Sequence, residues 1–175
     1  MHFLDHSTKL RESKIRSILA GLSWKRKITL VAAGKLELHG ELLRQPQEGK
    51  WLKDHARSWG SRVDFQNLTD ETACLSIAGP RSRDVLAKLT GESVEERALP
   101  FLSAKAMTVA GIPTRALRIS YTGELGWELY HPAQHTLALY EALLTAGQES
   151  GIGDFGTYAL NALRIEKGFR MWGAE

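Results

Sequence analysis

The sequence predicts an α+β fold, a mostly antiparallel sheet with flanking helices. Three observations lead there. Val63-Asp-Phe-Gln-Asn-Leu68 alternates apolar and polar side chains, as a half-buried strand does. Leu137, Tyr140, Leu143 and Leu144 recur at helical spacing before Gly147. From Ala73 onward the predicted order is strand, helix, hairpin, strand, helix. That is not the strict alternation that builds a parallel sheet.

Residues 1–50 read as an atypical, basic N-terminal segment. Lys9, Arg11, Lys14, Arg16, Lys25, Arg26 and Lys27 are opposed there by few acids, among them Asp5 and Glu12. Leu10, Ile15, Ile18, Leu19 and Leu22 form a rough helical stripe beside them. Such a stretch suits a transit peptide or a surface helix. Residues 28–32 read as a short strand and residues 45–49, with their proline and glycine, as a loop.

Residues 51–175 are more orderly and form the second predicted region. Residues 51–60 suggest a helix closed by Gly60, and 73–78 a strand. Gly79-Pro80 breaks that strand and opens a helix with Val85, Leu86 and Leu89 facing the core. Residues 107–110 and 114–121 read as a hairpin turning at Gly111-Ile-Pro113. A second tight turn is expected at Thr122-Gly123, followed by a strand over 126–131. A last helix over 158–167 is stopped by Gly168.

Composition excludes several classes. With 23 basic and 20 acidic residues the net charge is only +3, so the chain as a whole has no polyanion-binding balance. One cysteine, Cys74, cannot form an internal disulfide; in its strand it is expected to be a buried, inert thiol. No apolar run approaches the roughly 20 residues of a membrane span.

Gly151-Ile-Gly-Asp-Phe-Gly156 spells a dinucleotide fingerprint, but that chemistry needs a strand immediately before it. A helix is predicted there instead, so an interhelical loop is the better reading. His131 and His135 have metal-like spacing, yet Pro132 separates them and no cysteine or nearby carboxylate completes a ligand set. No nucleophile elbow or phosphate loop is present.

The segment Ile119-Ser-Tyr-Thr-Gly-Glu-Leu-Gly-Trp-Glu-Leu-Tyr-His131 is the most informative. Along its strand Trp127, Leu129 and His131 point one way, and Glu128 and Tyr130 the other. Tyr121 and Glu128 place a ring and a carboxylate on flanking segments. That is equipment for holding a flat heterocycle that carries paired hydrogen-bond donors.

Four patches occur in order: Asn67-Leu-Thr-Asp-Glu71, Ile77-Ala-Gly-Pro-Arg-Ser-Arg-Asp-Val-Leu86, the Tyr-Thr-Gly-Glu-Leu-Gly-Trp-Glu segment, and Asn161-Ala-Leu-Arg-Ile-Glu-Lys-Gly-Phe-Arg170 with Trp172-Gly-Ala-Glu175. Together they resemble the glycine-cleavage T-protein (aminomethyltransferase) folate-binding family. Within it the likeness is greatest to the folate domains of dimethylglycine dehydrogenases.

The resemblance implies a domain that binds tetrahydrofolate, which accepts a one-carbon unit from an oxidised N-methyl amine. Glu128 matches the glutamate that accepts the pterin's amino and ring N–H donors, and Tyr121 the tyrosine lining the pterin site. Asn161 is a further folate-binding candidate; where many T-proteins have Arg-Asp, this chain has Leu160-Asn161. Arg164 and Glu166 match the last-helix motif and are expected to have a structural salt-bridge role. The family's catalytic aspartate is not recognisable, and FAD would belong to a separate domain of the full-length enzyme. The chain is therefore expected to be a partial domain, inactive in isolation. Small-molecule partners (folate and a methylated amine) and a mitochondrial matrix location are implied. A non-catalytic regulatory or scaffold protein on the same fold, like the pyruvate dehydrogenase phosphatase regulatory subunit, is the alternative.

Overall fold

The computed structural model describes residues 2–4, 27–32, 35–39, 45–58, 60 and 64–170. The expected apolar stripe at 10–22 lies outside the described residues. The chain divides into two compact units, Met1–Thr69 and Asp70–Glu175.

The first unit holds strands β1 (His2–Leu4), β2 (Lys27–Ala32), β3 (Lys35–His39) and β4 (Asp64–Gln66), with helix α1 (Gln45–Ser58) between β3 and β4. The strands form an antiparallel sheet in the order β2-β3-β1-β4. The strand expected over 28–32 is present as β2. The loop expected over 45–49 is instead the first turn of α1. Pro46 is tolerated there because the first amides of a helix have no intrahelical acceptor. Within α1, Trp51 and His55 stack at 3.7 Å, and His55 Nδ1 lies 2.8 Å from the Trp51 carbonyl. Of the alternation expected over 63–68, the described residues 64–68 give the strand Asp64–Gln66. Asn67 ends the strand by accepting bonds through Oδ1 from the amide and hydroxyl of Thr69, at 3.1 and 2.7 Å.

The second unit is built on strands β5 (Thr72–Ala78), β6 (Ala104–Val109), β7 (Ile112–Leu117) and β8 (Gly126–Pro132). Helix α2 (Ser82–Leu89) follows β5, α3 (Thr136–Gly147) follows β8, and α4 (Thr157–Glu166) comes last. The sheet order is β5-β8-β7-β6, every neighbouring pair antiparallel, which is the predicted α+β class. One face carries the core: Ile77, Met107, Val109, Ala116, Trp127 and Leu129 pack with Val85 and Leu86 of α2 and Leu139 and Leu143 of α3. Removing this apolar surface from water is the main stabilising term of the unit.

Three local expectations are corrected. The β6–β7 turn lies at Ala110-Gly111, not Gly111–Pro113; both turn residues have positive φ (50° and 77°), as a two-residue hairpin of matching twist needs. Pro113 falls inside β7, beyond the stretch of β7 that pairs with β8, so its missing N–H interrupts no bond there. Second, β7 ends at Leu117, and residues 118–125 form a loop instead of a strand and tight turn. Beyond Leu117 the Arg118 backbone still bonds beside β6, its amide donating to Ser103 and its carbonyl accepting from Leu102 (both 2.9 Å), while its guanidinium donates to the Gly126 carbonyl (3.2 Å). Third, α3 buries Leu139 and Leu143, while Leu137 is exposed.

Candidate functional site

Glu128 sits in the middle of β8, opposite Ser76 of β5 and Leu117 of β7. Strand alternation sends Trp127, Leu129 and His131 into the core and leaves Glu128 and Tyr130 half-buried on the other face. Residues two apart on one strand face are neighbours, and the Tyr130 hydroxyl donates to Glu128 Oε2 at 2.7 Å. Cys74 and Arg115 lie across from Tyr130 on the flanking strands. This face therefore carries a carboxylate, a phenol, a thiol and a guanidinium side by side.

Burial raises the Tyr130 phenol far above its ordinary range, and neighbouring Cys74 raises it further. The phenol is thus held as an O–H donor. Burial likewise lowers Arg115 from its ordinary value. Cys74, expected inside, is exposed on this face. Its position in β5, paired with Tyr130 rather than with core-facing His131, places it there.

The loop over 118–125 carries Tyr121, which is half-buried. Three of the four sequence patches meet around it. The Leu125 carbonyl accepts from the Gly79 amide at 2.8 Å and from Ser82 Oγ at 2.9 Å. Lys167, at the end of α4, reaches Glu124 at 3.5 Å. Trp127 is flanked by two guanidinium groups, Arg118 at 4.9 Å and Arg83 at 5.5 Å from the ring centroid. Arg83 also donates to the Val94 carbonyl and pairs with Glu96 at 3.3 Å. Burial lowers Arg118, and Glu96 at 3.9 Å opposes that shift.

Asn161 lies on α4 and accepts through Oδ1 from Arg164 Nε at 3.0 Å. Arg164 is buried, and its Nη1 donates to the Phe169 carbonyl at 2.9 Å, tying down the helix end. The three predicted site residues thus stand on three segments: Tyr121 on a loop, Glu128 on a strand, Asn161 on a helix. Sequence reasoning missed Tyr130 as the partner of Glu128. The signal was available, because strand residues two apart share a face.

The histidine pair does not act together. His131 is buried and engages Leu129 O at 2.9 Å and Thr136 Oγ1 at 3.0 Å through its two ring nitrogens. That fastens the corner between β8 and α3. Among the described residues no group of three or more His, Cys, Asp or Glu side chains is arranged to hold a metal ion. Among the same residues no helix is long and apolar enough to cross a membrane. The Gly151–Gly156 motif lies between α3 and α4, with no strand before it.

Comparison with known proteins agrees with this architecture. The family model for the GCVT N-terminal domain matches residues 37–175. Mitochondrial dimethylglycine dehydrogenase from Mus musculus is 55% identical over 126 residues, covering 72% of this chain but 14% of that protein. The Homo sapiens counterpart is 52% identical over the same length. An aminomethyltransferase from Caldanaerobacter subterraneus subsp. tengcongensis is 34% identical over 126 residues, 33% of its own length. The chain therefore spans a small part of the relatives it matches. Among solved structures, heterotetrameric sarcosine oxidase from Corynebacterium sp. U-96, in complex with pyrrole 2-carboxylate, superposes with a TM-score of 0.61 at 21% identity. The match covers 75% of this chain and 64% of that one, a likeness of fold. By sequence, fold and the convergence of its motifs around the 118–125 loop, the chain belongs to the GCVT N-terminal domain family, alongside the corresponding region of dimethylglycine dehydrogenase.

Proposed function

We propose that this chain supplies part of a tetrahydrofolate site in a dimethylglycine dehydrogenase-like, one-carbon-transferring enzyme. The observation that carries the reading is the Glu128 carboxylate, displayed on the sheet face opposite the core and braced by the Tyr130 hydroxyl. A pterin presents an amino group and an adjacent ring N–H as parallel donors. A carboxylate accepts both in a forked pair. Tyr121 adds ring surface against the heterocycle. Asn161 on α4, whose carbonyl oxygen accepts from Arg164, is proposed by family resemblance as a further folate contact.

The one-carbon unit would come from a methylated amine. By family resemblance its oxidation would belong to flavin chemistry in a separate domain of the full-length enzyme. The described residues do not fit FAD, because their one glycine fingerprint joins two helices and lacks the preceding strand. The relatives named as mitochondrial support a mitochondrial location, and by family resemblance the matrix.

Titration of tetrahydrofolate into the purified chain, followed by calorimetry, tests the reading. Glu128→Gln should weaken binding by about 1–3 kcal/mol, the usual loss for a charged hydrogen-bond partner. Saturable binding unchanged by Glu128→Gln, or no binding by the folded chain, would reject it.

A further inference from the structure

We infer that Tyr130 is a positioning residue, which orients the Glu128 carboxylate toward the donor edge of a bound pterin. The inference rests on the folate reading above and adds a residue that the sequence motif leaves out.

The geometry has three parts. Tyr130 and Glu128 are two apart on β8, so both leave the strand on the same face. The hydroxyl lies 2.7 Å from the carboxylate, and a bond to an ionised carboxylate is stronger than one between neutral groups. The Tyr130 ring is itself confined, with β5 and β7 on either side placing Cys74 and Arg115 opposite it. A glutamate side chain has three rotatable bonds, and fixing them before a ligand arrives lowers the entropy cost of binding. A carboxylate tethered at Oε2 by a confined phenol has fewer orientations left to lose when a ligand binds. The lowered acidity of the buried phenol agrees, because the group stays protonated and donating.

A tyrosine in a sheet also fills space. A positioning role differs in acting through Glu128 and only on ligands that use it. The test is a double-mutant cycle of Tyr130→Phe and Glu128→Gln in the 175-residue chain, read by calorimetry with two probes. These are tetrahydrofolate and its 2-desamino analogue, which lacks the amino donor.

Tyr130→Phe should weaken tetrahydrofolate binding by about tenfold, in line with loss of one bond to a charged group. The same change in the Glu128→Gln background should add nothing further, because the two residues act as a unit. Its penalty should also shrink for the 2-desamino probe. An equal penalty in both backgrounds, or with both probes, would overturn the positioning role. If Glu128→Gln weakens binding and Tyr130→Phe does not, the folate reading stands and the inference falls. If the folded wild type binds neither probe, both fall. Should Tyr130→Phe reduce the folded fraction, the ratio of its affinities for the two probes still decides, because unfolding penalises both alike.

Discussion

Gly123 lies directly against Lys167, the residue that follows α4. A Cβ built on Gly123 would come within 2.3 Å of Lys167 Cγ, and Gly123 has a φ of +78°. The contact holds the loop that carries Tyr121 against the end of the last helix, beside the 3.5 Å pair of Lys167 with Glu124. Two segments more than forty positions apart in sequence are thereby joined.

Gly123→Ala should therefore be destabilising on two counts. An L-residue in the left-handed region costs about 1–2 kcal/mol. The new methyl also displaces Lys167. Urea denaturation should show a lower midpoint, and folate titration a weaker affinity. A variant as stable as the parent would show that the loop adjusts freely.

Ser82→Ala should cost about 1–2 kcal/mol, the loss of a well-made hydrogen bond in a buried place. Ser82 is buried, and its hydroxyl lies 2.6 Å from the Gly79 carbonyl and 2.9 Å from that of Leu125. It links the start of α2 to the start of β8. The effect should appear in chemical denaturation, mainly as faster unfolding if the link forms late. No change in stability would mean that the Gly79 amide alone holds Leu125.

Acid stability should depend in part on Glu92. Its carboxyl is lowered below the ordinary range first by Lys105, 2.8 Å away, and also by the Thr108 amide at 3.2 Å. A group depressed in the folded state contributes stability above its unfolded value and loses it as pH falls through the folded one. Glu92→Gln should thus melt below the parent at neutral pH, and the gap should close from about pH 4.3 downward. Thermal melts across that range would show it. A gap that widens in acid would contradict the assignment.

Cys74 should react with a thiol reagent in the native protein, because it is exposed on the sheet face opposite the core. The check is labelling kinetics with and without denaturant. Labelling that requires denaturant would place the thiol inside instead.

Much of the fold was legible because local patterns act locally. Strands β5 and β8 and helices α2, α3 and α4 follow from apolar period and from glycine and proline punctuation. The 45–49 loop was misread because proline and glycine signal breaks, yet proline is harmless in a helix's first turn. Leu137 was misread because α3 is apolar around much of its circumference, with Leu137, Leu139, Leu143 and Leu144 all on it. Only the sheet and α2 behind it select Leu139 and Leu143 as the buried pair.

The candidate site divides in the same way. The family, the α+β class and the positions of Tyr121 and Glu128 on consecutive segments were determined by sequence alone, because motif and strand period are encoded by neighbours. Where β7 ends was decided by tertiary structure: its pairing with β8 stops at Leu117, and the Arg118 guanidinium turns to the Gly126 carbonyl and the Trp127 ring. The exposure of Cys74 and the surroundings of Tyr130 were decided there too, because pairing across β5, β8 and β7 sets which side chains share a face. Register between strands depends on burying Trp127 and Leu129 against two helices at once, and no local stretch of sequence contains that information.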